Sequence, residues 1–484
     1  MELSEYARHD GTGLAALVRS GEVSAAELTS AAAAAIERLN PRLNAVIETY
    51  PERIAGFDAA SLADGPFRGV PFLLKRIGIT EKGRPTTDLG TRLLGERKRP
   101  PAMRDSYVVG RFHAAGLNPI GHTTMPELAY TVSVESRHQG VTRNPWHPAV
   151  AAGGSSTGAA VAVASGMVPM AHASDAAGST RFPASCNGLV GLKPSRGRIS
   201  NGPDASDISA SKVSHFALVR TIRDAAAMLD WLQGGLPGEA FVYRPAEESF
   251  LAAIKRKPGR LKIALSSMMW HSRELQGDVR SEIERVGRAL ETLGHTVVVD
   301  KPPIDFAAYR DLYKSIYYMD SAAALANLER IVGGKVDSSK IQPVIWRAMA
   351  AGQSFTLAQY AGAIDAINAL SRTLGQFFET YDALLTPALA TGIPKLGETS
   401  LESDISADGF IEHLLGINQH LPLANLAGAP AISLPLCTTA DGLPLGAHFI
   451  MPIGADARLL QLSAQLEEAM PWADRRPAVH LAAA

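Results

Sequence analysis

The stretch Gly153–Ser200, GGSSTGAAVAVASGMVPMAHASDAAGSTRFPASCNGLVGLKPSRGRIS, decides how this chain is interpreted. It holds two loops of small residues, GGSSTG at 153–158 and DAAGST at 175–180, on either side of a helix of small residues predicted over 159–165. Such loops let main chain approach a ligand closely, and successive N–H groups at 176–179 could form an anion-binding nest. In acyl-transfer chemistry, a nest of this kind serves as an oxyanion hole.

Three structures could account for the first loop on physical grounds. A phosphate-binding P-loop requires lysine after its last glycine, but Ala159 follows Gly158. A nucleophile elbow, G-x-S-x-G, matches 154–158 literally, yet an elbow follows a strand, and the preceding Asn144–Pro148 does not read as one. A tightly packed turn without chemistry is the third structure, and these residues alone leave it open.

Outward from this stretch, predicted strands and helices alternate. Gly69–Leu74 indicates a short buried strand that Lys75 follows directly, and a helix over 105–115 precedes a strand over 117–120. Farther upstream, Ser24 with Glu27 forms a capping box for a helix that proline at 41 is expected to end. This alternation is typical of an α/β fold.

The C-terminal half is more helical at first and then returns to strands. The helices predicted there cover 279–293, 322–331, 357–378 and 457–470. The predicted strands cover 261–265, 295–299, 383–385, 431–434 and 446–450, and 395–408 is expected to be a surface loop. We therefore predict one large domain over 1–484, with a largely helical insertion at about 234–378.

Composition excludes several classes of protein. Apolar residues make up 46% of the 484 residues and charged residues 20%, so disordered and fibrous classes fit poorly. A net charge of −1 supplies no large field for nucleic acid or an anionic membrane. The two cysteines, Cys186 and Cys437, rule out a disulfide-stapled scaffold. The first residues do not resemble a signal peptide, and the apolar stretch 159–173 is shorter than the roughly 20 residues of a membrane span. We expect a soluble, cytoplasmic protein with no nucleic-acid or membrane partner.

Metal chemistry finds no support in the sequence. The histidines compared for ligand spacing are His113, His122, His138, His147 and His172. None of them stands at metal-ligand spacing from a cysteine or carboxylate. A zinc hydrolase is therefore unsupported, and no metal and no cofactor are expected.

The whole set of motifs resembles the amidase signature family. The motifs are the stretch at 153–200, GVPFLLK ending at Lys75, MPEL at 125–128, TRNPW at 142–146, LLTP at 384–387 and AGAPAISLPL at 427–436. Within the family, SDAAGS, SRGRIS and MPWADRRP resemble most the hydrolases of cyclic nylon oligomers and related bacterial amidases. The resemblance covers nearly the whole chain. It implies an α/β fold with a large mixed central β-sheet, helices on both faces and a helical insertion.

By the same resemblance, the catalytic core at 69–200 carries a Ser–cis-Ser–Lys triad. Ser179 is then the nucleophile, Ser155 the bridging serine after a cis peptide from Gly154, and Lys75 the base. The implied oxyanion hole consists of Ala176, Ala177 and Gly178. A serine hydroxyl is a weak nucleophile until a base takes its proton, and a lysine can be that base only when neutral. Burial after an apolar strand would lower the pKa of Lys75 and favour that form.

Neighbouring residues have simpler interpretations than catalysis. Ser156 could be the working hydroxyl by the elbow spacing, but we expect it to hydrogen-bond within its loop. Asp175 and Arg181 are expected to pair with each other or hold the loop. Cys186 is expected to be a small buried apolar residue. Trp146 and the tyrosines at 317 and 318 could line a pocket, although aromatic residues are more often core.

Three departures from the family pattern bear on substrate and rate. Arg76 follows Lys75 where many members have aspartate, so a second cation would favour neutral Lys75. Thr124 stands where many members have an asparagine expected to bind a substrate amide. Ala177 replaces the usual glycine of the oxyanion loop.

The resemblance implies an amidase that hydrolyses a carboxamide of a small molecule or short peptide-like substrate through a serine acyl-enzyme. Its partner would be that substrate, and a homodimer remains open. Three alternatives remain: an esterase or acyl transferase with the same triad, the glutaminase subunit of a tRNA-dependent amidotransferase, and a non-catalytic binding protein. Amine release, acyl-acceptor analysis and co-purification of a partner subunit distinguish them. The segment 234–378 would set specificity.

Overall fold

The strands predicted around the small-residue loops belong to one mixed sheet. The computed structural model describes residues 1–56, 59–204, 212–241, 245–267, 275 and 277–483. Its strands within these residues are β1 (Val46–Thr49), β2 (Pro71–Lys75), β3 (Asn118–Thr123), β4 (Glu135–Ser136), β5 (Gly140–Val141), β6 (Ala171–Asp175), β7 (Val190–Lys193), β8 (Ser214–Val219), β9 (Lys262–Leu265), β10 (Thr296–Val299), β11 (Ala383–Pro387), β12 (Ala431–Thr438) and β13 (Pro444–Ile450).

In the described part of the chain, eleven strands form the sheet in the order β1-β3-β2-β6-β8-β7-β12-β13-β11-β9-β10, and β4 pairs with β5 separately. Strand β2 runs parallel to β3 and β6, and β9 runs parallel to β10 and β11. The central pairs from β6 to β11 are antiparallel. The predicted α/β class with a large mixed sheet is confirmed.

Helices cover both faces of this sheet. They are α1 (Leu3–Tyr6), α2 (Gly11–Ser20), α3 (Ala25–Leu43), α4 (Pro51–Ala55), α5 (Arg92–Gly95), α6 (Tyr107–Ala114), α7 (Thr157–Ser165), α8 (Arg181–Asn187), α9 (Ile222–Leu232), α10 (Phe250–Ala253), α11 (Gly277–Thr292), α12 (Phe306–Val332), α13 (Pro343–Gly352), α14 (Leu357–Phe377), α15 (Ala407–Asn418), α16 (Leu421–Ala427) and α17 (Asp456–Ala469). No helix among the described residues is long and apolar enough to cross a membrane.

Helix α7 is the helix of small residues predicted from the sequence. All nine of its residues are buried, and Gly158 in its first turn lies against the main chain of Ala45. A Cβ atom at Gly158 would stand 2.1 Å from the Ala45 carbonyl oxygen. Only glycine fits there, because no backbone atom can give way to that extent. The small side chains therefore let α7 run through the core of the molecule.

Several predicted boundaries shift in the structure. Helix α3 has the predicted capping box at Ser24 and Glu27 but continues past Pro41 to Leu43. A proline in the last turn removes one hydrogen bond without stopping the helix. Lys75 is the last residue of β2 and does not follow it. The helix predicted over 322–331 belongs to α12, which begins at 306, and the predicted loop 395–408 ends where α15 begins.

Candidate active site

The site begins where β2 and β6 end. The two strands are parallel neighbours, with Leu73 opposite Ala171, so their carboxyl ends meet at one edge of the sheet. Lys75 ends β2, and its Nζ donates to the carbonyl oxygen of Ser174, the next-to-last residue of β6, at 3.3 Å. The topology therefore delivers a lysine side chain to the segment that leads into the second small-residue loop.

Ser155 lies at the start of α7, next to this lysine. The peptide bond between Gly154 and Ser155 is cis, as the family resemblance implies. Lys75 Nζ and Ser155 Oγ are 2.8 Å apart, a short hydrogen-bond distance for this pair. Both side chains are buried, so the contact is shielded from water.

Ser156 fixes the direction of the hydrogen bonds around Lys75. Its hydroxyl lies 3.0 Å from Lys75 Nζ and donates to the Ser174 carbonyl oxygen at 3.3 Å. Because a hydroxyl has one hydrogen, Ser156 Oγ accepts from Lys75 Nζ. A neutral Lys75 then has its lone pair left for the hydroxyl hydrogen of Ser155. We expected the Ser156 hydroxyl to hydrogen-bond within its loop, but its described hydrogen bonds go to Lys75 and to Ser174 of β6.

Burial favours the neutral form of Lys75 near physiological pH. The side chain has no exposed surface, and this loss of hydration lowers the pKa of Lys75 to about 7, whereas the carboxylate of Asp175 opposes the shift. The expected contribution of Arg76 is wrong. The Arg76 guanidinium pairs with Asp88 and donates to Gln139 Oε1 at 2.9 Å, and it is not among the causes of the Lys75 shift.

A second buried lysine shows that burial alone does not define a base. Burial lowers the pKa of Lys193 to about 7 as well, and its exposed fraction is 1%. However, Lys193 Nζ donates to the Pro194 carbonyl oxygen at 2.8 Å and contacts no serine hydroxyl among the described residues. Among the described lysines, only Lys75 combines a lowered pKa with a hydroxyl partner.

A neutral histidine pair lies behind Lys75. The Lys75 main-chain N–H donates to His172 Nδ1 at 3.2 Å, so the hydrogen of neutral His172 is on Nε2. His172 Nε2 lies 3.0 Å from His215 Nδ1 and therefore donates to it. Burial lowers the pKa of both rings, that of His215 to about 4. The pair thus keeps further positive charge away from Lys75.

Ser179 lies in the same cavity as Ser155. The main chains of the two loops meet, because the Ser156 N–H donates to the Ser179 carbonyl oxygen at 3.3 Å. Within the described residues, the Ser179 hydroxyl makes no hydrogen bond, so the structure brings Ser179 beside Ser155 without joining their hydroxyls. In proteins without a bound substrate, catalytic hydrogen bonds are often long and tighten when the substrate binds.

The predicted oxyanion donors do not behave alike. The Gly178 N–H donates to Asp175 Oδ1 at 2.7 Å, so it is not free for a ligand. The prediction for Gly178 is therefore wrong as a donor, although its φ of +113° still shapes the loop. In the described part of the chain, the N–H groups of Ala176 and Ala177 have no acceptor, and both residues line the cavity.

An ion pair under this loop holds it in place. Arg181 donates to both carboxylate oxygens of Asp175, at 2.9 and 3.0 Å, as the sequence led us to expect. Burial alone would raise the pKa of Asp175, but the Arg181 guanidinium holds it well below its usual range. Asn425 donates to Asp175 Oδ1 at 2.9 Å and to the Lys212 carbonyl oxygen at 3.1 Å. Asp175 and Arg181 thus stabilise the loop through their ion pair and do not line the cavity.

The cavity above Ser179 encloses about 510 Å³ and is mostly apolar. One face of α12 forms part of its wall. The residues that α12 contributes are Tyr313, Ile316, Tyr317, Asp320, Ala323, Ala324, Asn327 and Leu328. The side chains of Lys212 and Asp320 form an ion pair on this wall. Sequence reasoning did not single out this pair, because the two residues are 108 positions apart and belong to no motif.

The remaining candidates, apart from Tyr317, do not line the cavity. Thr124 Oγ1 lies 2.8 Å from Thr142 Oγ1, and the residue does not line the cavity, so its departure from the family pattern does not bear directly on substrate contacts. Trp146 donates to the Asn187 carbonyl oxygen at 3.0 Å. Of the two neighbouring tyrosines, Tyr317 lines the cavity and Tyr318 does not. Cys186 is buried as expected, and burial raises the pKa of its thiol.

Metal ligands are not grouped in the described ranges, where no set of three His, Cys, Asp or Glu side chains could hold an ion.

Glu127, in the MPEL motif, is an unexpected buried acid next to the cavity wall. Its side chain is almost fully buried, and its Oε2 accepts from the Gln342 N–H at 3.0 Å, whereas Oε1 has no partner among the described residues. Burial raises the pKa of Glu127 from 4.5 to about 8, the Gln342 N–H opposes this, and Glu402 adds to it. Glu127 is therefore protonated in the folded protein near neutral pH.

This predicts a pH-dependent stability that Glu127→Gln removes. Between pH 4.5 and about 8 the unfolded chain has lost this proton and the folded chain keeps it, so the free energy of unfolding falls as pH rises across that window. Relative to the natural protein, Glu127→Gln should gain a few degrees of melting temperature by pH 8 and little at pH 4.5. Thermal unfolding of both proteins across this range measures it, and parallel curves would show that Glu127 is already ionised when folded.

Comparison with known proteins gives one consistent set of relatives. The model of the family described as Amidase matches residues 27–460. The chain is 34% identical over 481 residues to the 6-aminohexanoate-cyclic-dimer hydrolase of Paenarthrobacter ureafaciens. The alignment covers 97% of this chain and 96% of the relative. A solved structure of 6-aminohexanoate cyclic dimer hydrolase superposes with a TM-score of 0.90 at 32% identity over 99% of both chains. A bacterial aryl acylamidase of the Amidase signature family shares the fold, with a TM-score of 0.84 at 24% identity over 98% of both chains.

Proposed function

Since the chain belongs to the amidase family, we propose that it hydrolyses a small carboxamide through an acyl-enzyme on Ser179. The protein is an amidohydrolase acting on carbon–nitrogen bonds other than peptide bonds. Such a reaction needs an activated nucleophile, a proton relay and donors for the developing oxyanion. In the proposal, Ser155 and Lys75 are the relay.

One contact carries the proposal: the 2.8 Å hydrogen bond between Lys75 Nζ and Ser155 Oγ, at the cavity that also holds Ser179. Burial favours neutral Lys75, and the bonds of Ser156 leave the Lys75 lone pair for the Ser155 hydroxyl. Ser155 can therefore pass its proton to Lys75 as it takes one from Ser179. This transfer requires Ser179 Oγ to approach Ser155 Oγ.

Acylation would proceed in two steps. Ser179 Oγ attacks the carbonyl carbon of the amide, its proton moves to Ser155 Oγ, and the Ser155 proton moves to Lys75 Nζ, which becomes an ammonium. The carbonyl oxygen becomes an oxyanion, which the N–H groups of Ala176 and Ala177, unpaired among the described residues, can bind. The proton then returns through Ser155 to the amide nitrogen, the carbon–nitrogen bond breaks, and the amine leaves.

Deacylation would repeat this path with water. Water attacks the ester carbon of the acyl-enzyme and gives its proton through the same relay to Lys75. Collapse of the second tetrahedral intermediate breaks the bond to Ser179 Oγ, which takes back a proton as the carboxylic acid leaves. The apolar cavity of about 510 Å³ fits an aliphatic or aromatic small molecule. The named relatives act on a cyclic amide dimer and on aryl acylamides, and we infer a substrate of that size here.

The test is product analysis with a panel of small carboxamides that includes linear amides, cyclic amides and anilides. We expect equimolar release of amine and carboxylic acid from at least one apolar member. Added hydroxylamine should divert part of the product to a hydroxamate, because an acyl-enzyme does not dictate what attacks it. Ester turnover without any amide turnover, or strict dependence on glutamine and a partner subunit, would contradict the proposal.

A further inference from the structure

A second cavity adjoins the one that holds Ser179. It encloses about 600 Å³, and three residues, Gly78, Leu89 and Asn327, line both cavities. We call the cavity with Ser179 the inner cavity and the second one the outer cavity. Asn327, which lines both cavities, is exposed on α12.

The outer cavity is strongly basic. The side chains of Arg97, Lys98, Arg99 and Arg330 line it, and within the described residues none of these four lies within 4.0 Å of a carboxylate. Their described hydrogen bonds go to neutral groups: Arg97 donates to the Val332 carbonyl oxygen at 3.4 Å and Arg330 to Asn327 Oδ1 at 2.7 Å.

The acids nearby are already engaged. Asp204 lines the outer cavity but pairs with Arg104. Glu96, next to Arg97 in the chain, pairs with Arg92 and Lys340. Arg99 lies in electrostatic range of Asp88, whose carboxylate pairs with Arg76. Positive charge on Arg97, Lys98 and Arg330 therefore remains uncompensated in the described part of the chain.

The inner cavity carries no comparable charge. Its two described ionised side chains, Lys212 and Asp320, pair with each other. His215 is neutral, because burial lowers its pKa to about 4. The inner cavity therefore selects by shape and apolar contact, and any selection by net charge falls to the outer cavity. Clefts with one sign of charge concentrate oppositely charged substrates and raise their rate of association.

We propose that the preferred substrate is an amide with an apolar middle and a terminal carboxylate, which lies in the outer cavity while the amide is at Ser179. This inference rests on the proposed function and adds the charge of the substrate to it. The molecule would place its apolar part along α12 and its carboxylate near Arg97, Lys98 and Arg330. The reaction itself is unchanged, since the carboxylate takes no part in bond breaking.

The experiment compares matched anionic and neutral amides. One pair is the 4-nitroanilides of a dicarboxylic acid and of the fatty acid with the same number of carbons. The other is the benzamides of an ω-amino acid and of the alkylamine of the same length. In at least one pair, the anionic member should have a kcat/KM about tenfold or more above the neutral member at low salt. At 1 M salt, where the screening length falls to about 3 Å, most of this preference should be lost.

A charge-reversed variant tests whether the preference for the anionic member depends on the outer cavity. The double substitution Arg97→Glu with Lys98→Glu should abolish the preference, because kcat/KM for the anionic member falls to that of the neutral member or below it. The matched control is Lys257→Glu with Arg288→Glu, which changes the net charge equally at exposed positions that line neither cavity. The control should keep the preference.

Equal kcat/KM within both pairs, or the same loss in the control variant, would overturn the inference. Hydrolysis of the neutral members tests the proposed function separately. If they are cleaved and Ser179→Ala abolishes that cleavage, the proposed function stands whatever the effect of charge.

Discussion

Ser179→Ala is expected to lower kcat/KM for amide hydrolysis by on the order of 10⁴–10⁶-fold, the scale seen when a member of a serine triad is removed. Without Ser179 Oγ there is no atom to carry the acyl group, and Ser155 Oγ is already engaged with Lys75. The fold should be unaffected. The hydroxyl makes no hydrogen bond among the described residues, so the free energy of unfolding should change by no more than about 0.5 kcal/mol.

Intact-protein mass spectrometry after treatment with a serine-directed phosphonate measures this directly. The natural protein should gain the mass of one adduct, and Ser179→Ala should gain none. Ser156→Ala is the matched control, because it removes a neighbouring hydroxyl that holds Lys75 and is not the proposed nucleophile. It should turn over more slowly and still form the adduct. An adduct that persists in Ser179→Ala, or that is lost only in Ser156→Ala, would assign the nucleophile elsewhere.

Lys75→Met is expected to lower kcat/KM by at least about 10²–10⁴-fold, the contribution of a general base. Methionine keeps the apolar volume of the side chain and removes the nitrogen that accepts the proton. In the natural protein the base must be neutral, so kcat/KM should rise with pH through the pKa of the free enzyme. Since burial lowers the pKa of Lys75 to about 7, the acidic limb should lie near pH 7 and not near lysine's unperturbed value of about 10.4.

Lys193→Met is the control for this prediction, because Lys193 is equally buried and its pKa is lowered to a similar value. If that variant folds, as circular dichroism can check, its acidic limb should stay near pH 7, whereas in Lys75→Met the limb should disappear. The limb belongs to the coupled Lys75–Ser155–Ser179 unit and not to one group alone. A limb that moves in Lys193→Met and stays in Lys75→Met would remove the basis for the proposed relay.

Much of the site could be predicted because it is carried by short motifs on neighbouring strands. The family resemblance pointed to Lys75, Ser155 and Ser179. Ser155 and Ser179 lie in two loops joined by a single helix and strand, and Lys75 comes to Ser155 because β2 and β6 are parallel neighbours. The donor role of Gly178 could not be judged from the motif, because the carboxylate that takes its N–H depends on how the Asp175 side chain turns. The cavity wall had no motif at all, since Lys212 and Asp320 meet only through the tertiary fold.

The same distinction applies to the fold. Strands such as β2 and β11 were predicted because they are short apolar runs, and α3 because of its capping box. The expected effect of Arg76 on the pKa of Lys75 was wrong, because adjacency in the chain does not show where the guanidinium lies. The Arg76 guanidinium pairs with Asp88. Helix α12 was predicted over only part of its length. Its buried apolar residues from Tyr309 to Ile316 belong to one hydrophobic cluster and Leu325 and Leu328 belong to another, so its apolar residues do not keep to one stripe of the helix.

Helix α12 contributes residues to the cavity wall and is separate from the residues proposed to catalyse the reaction. The cavity-lining positions of α12, from Tyr313 to Leu328, recur every three or four residues and so form one face of a single helix. None of them contacts Lys75 or Ser155 through a described hydrogen bond. During evolution, substitutions on this one helical face are therefore expected to change substrate preference and to leave Lys75, Ser155 and Ser179 unchanged. A mutant library confined to that face would sample the same evolutionary route in the laboratory.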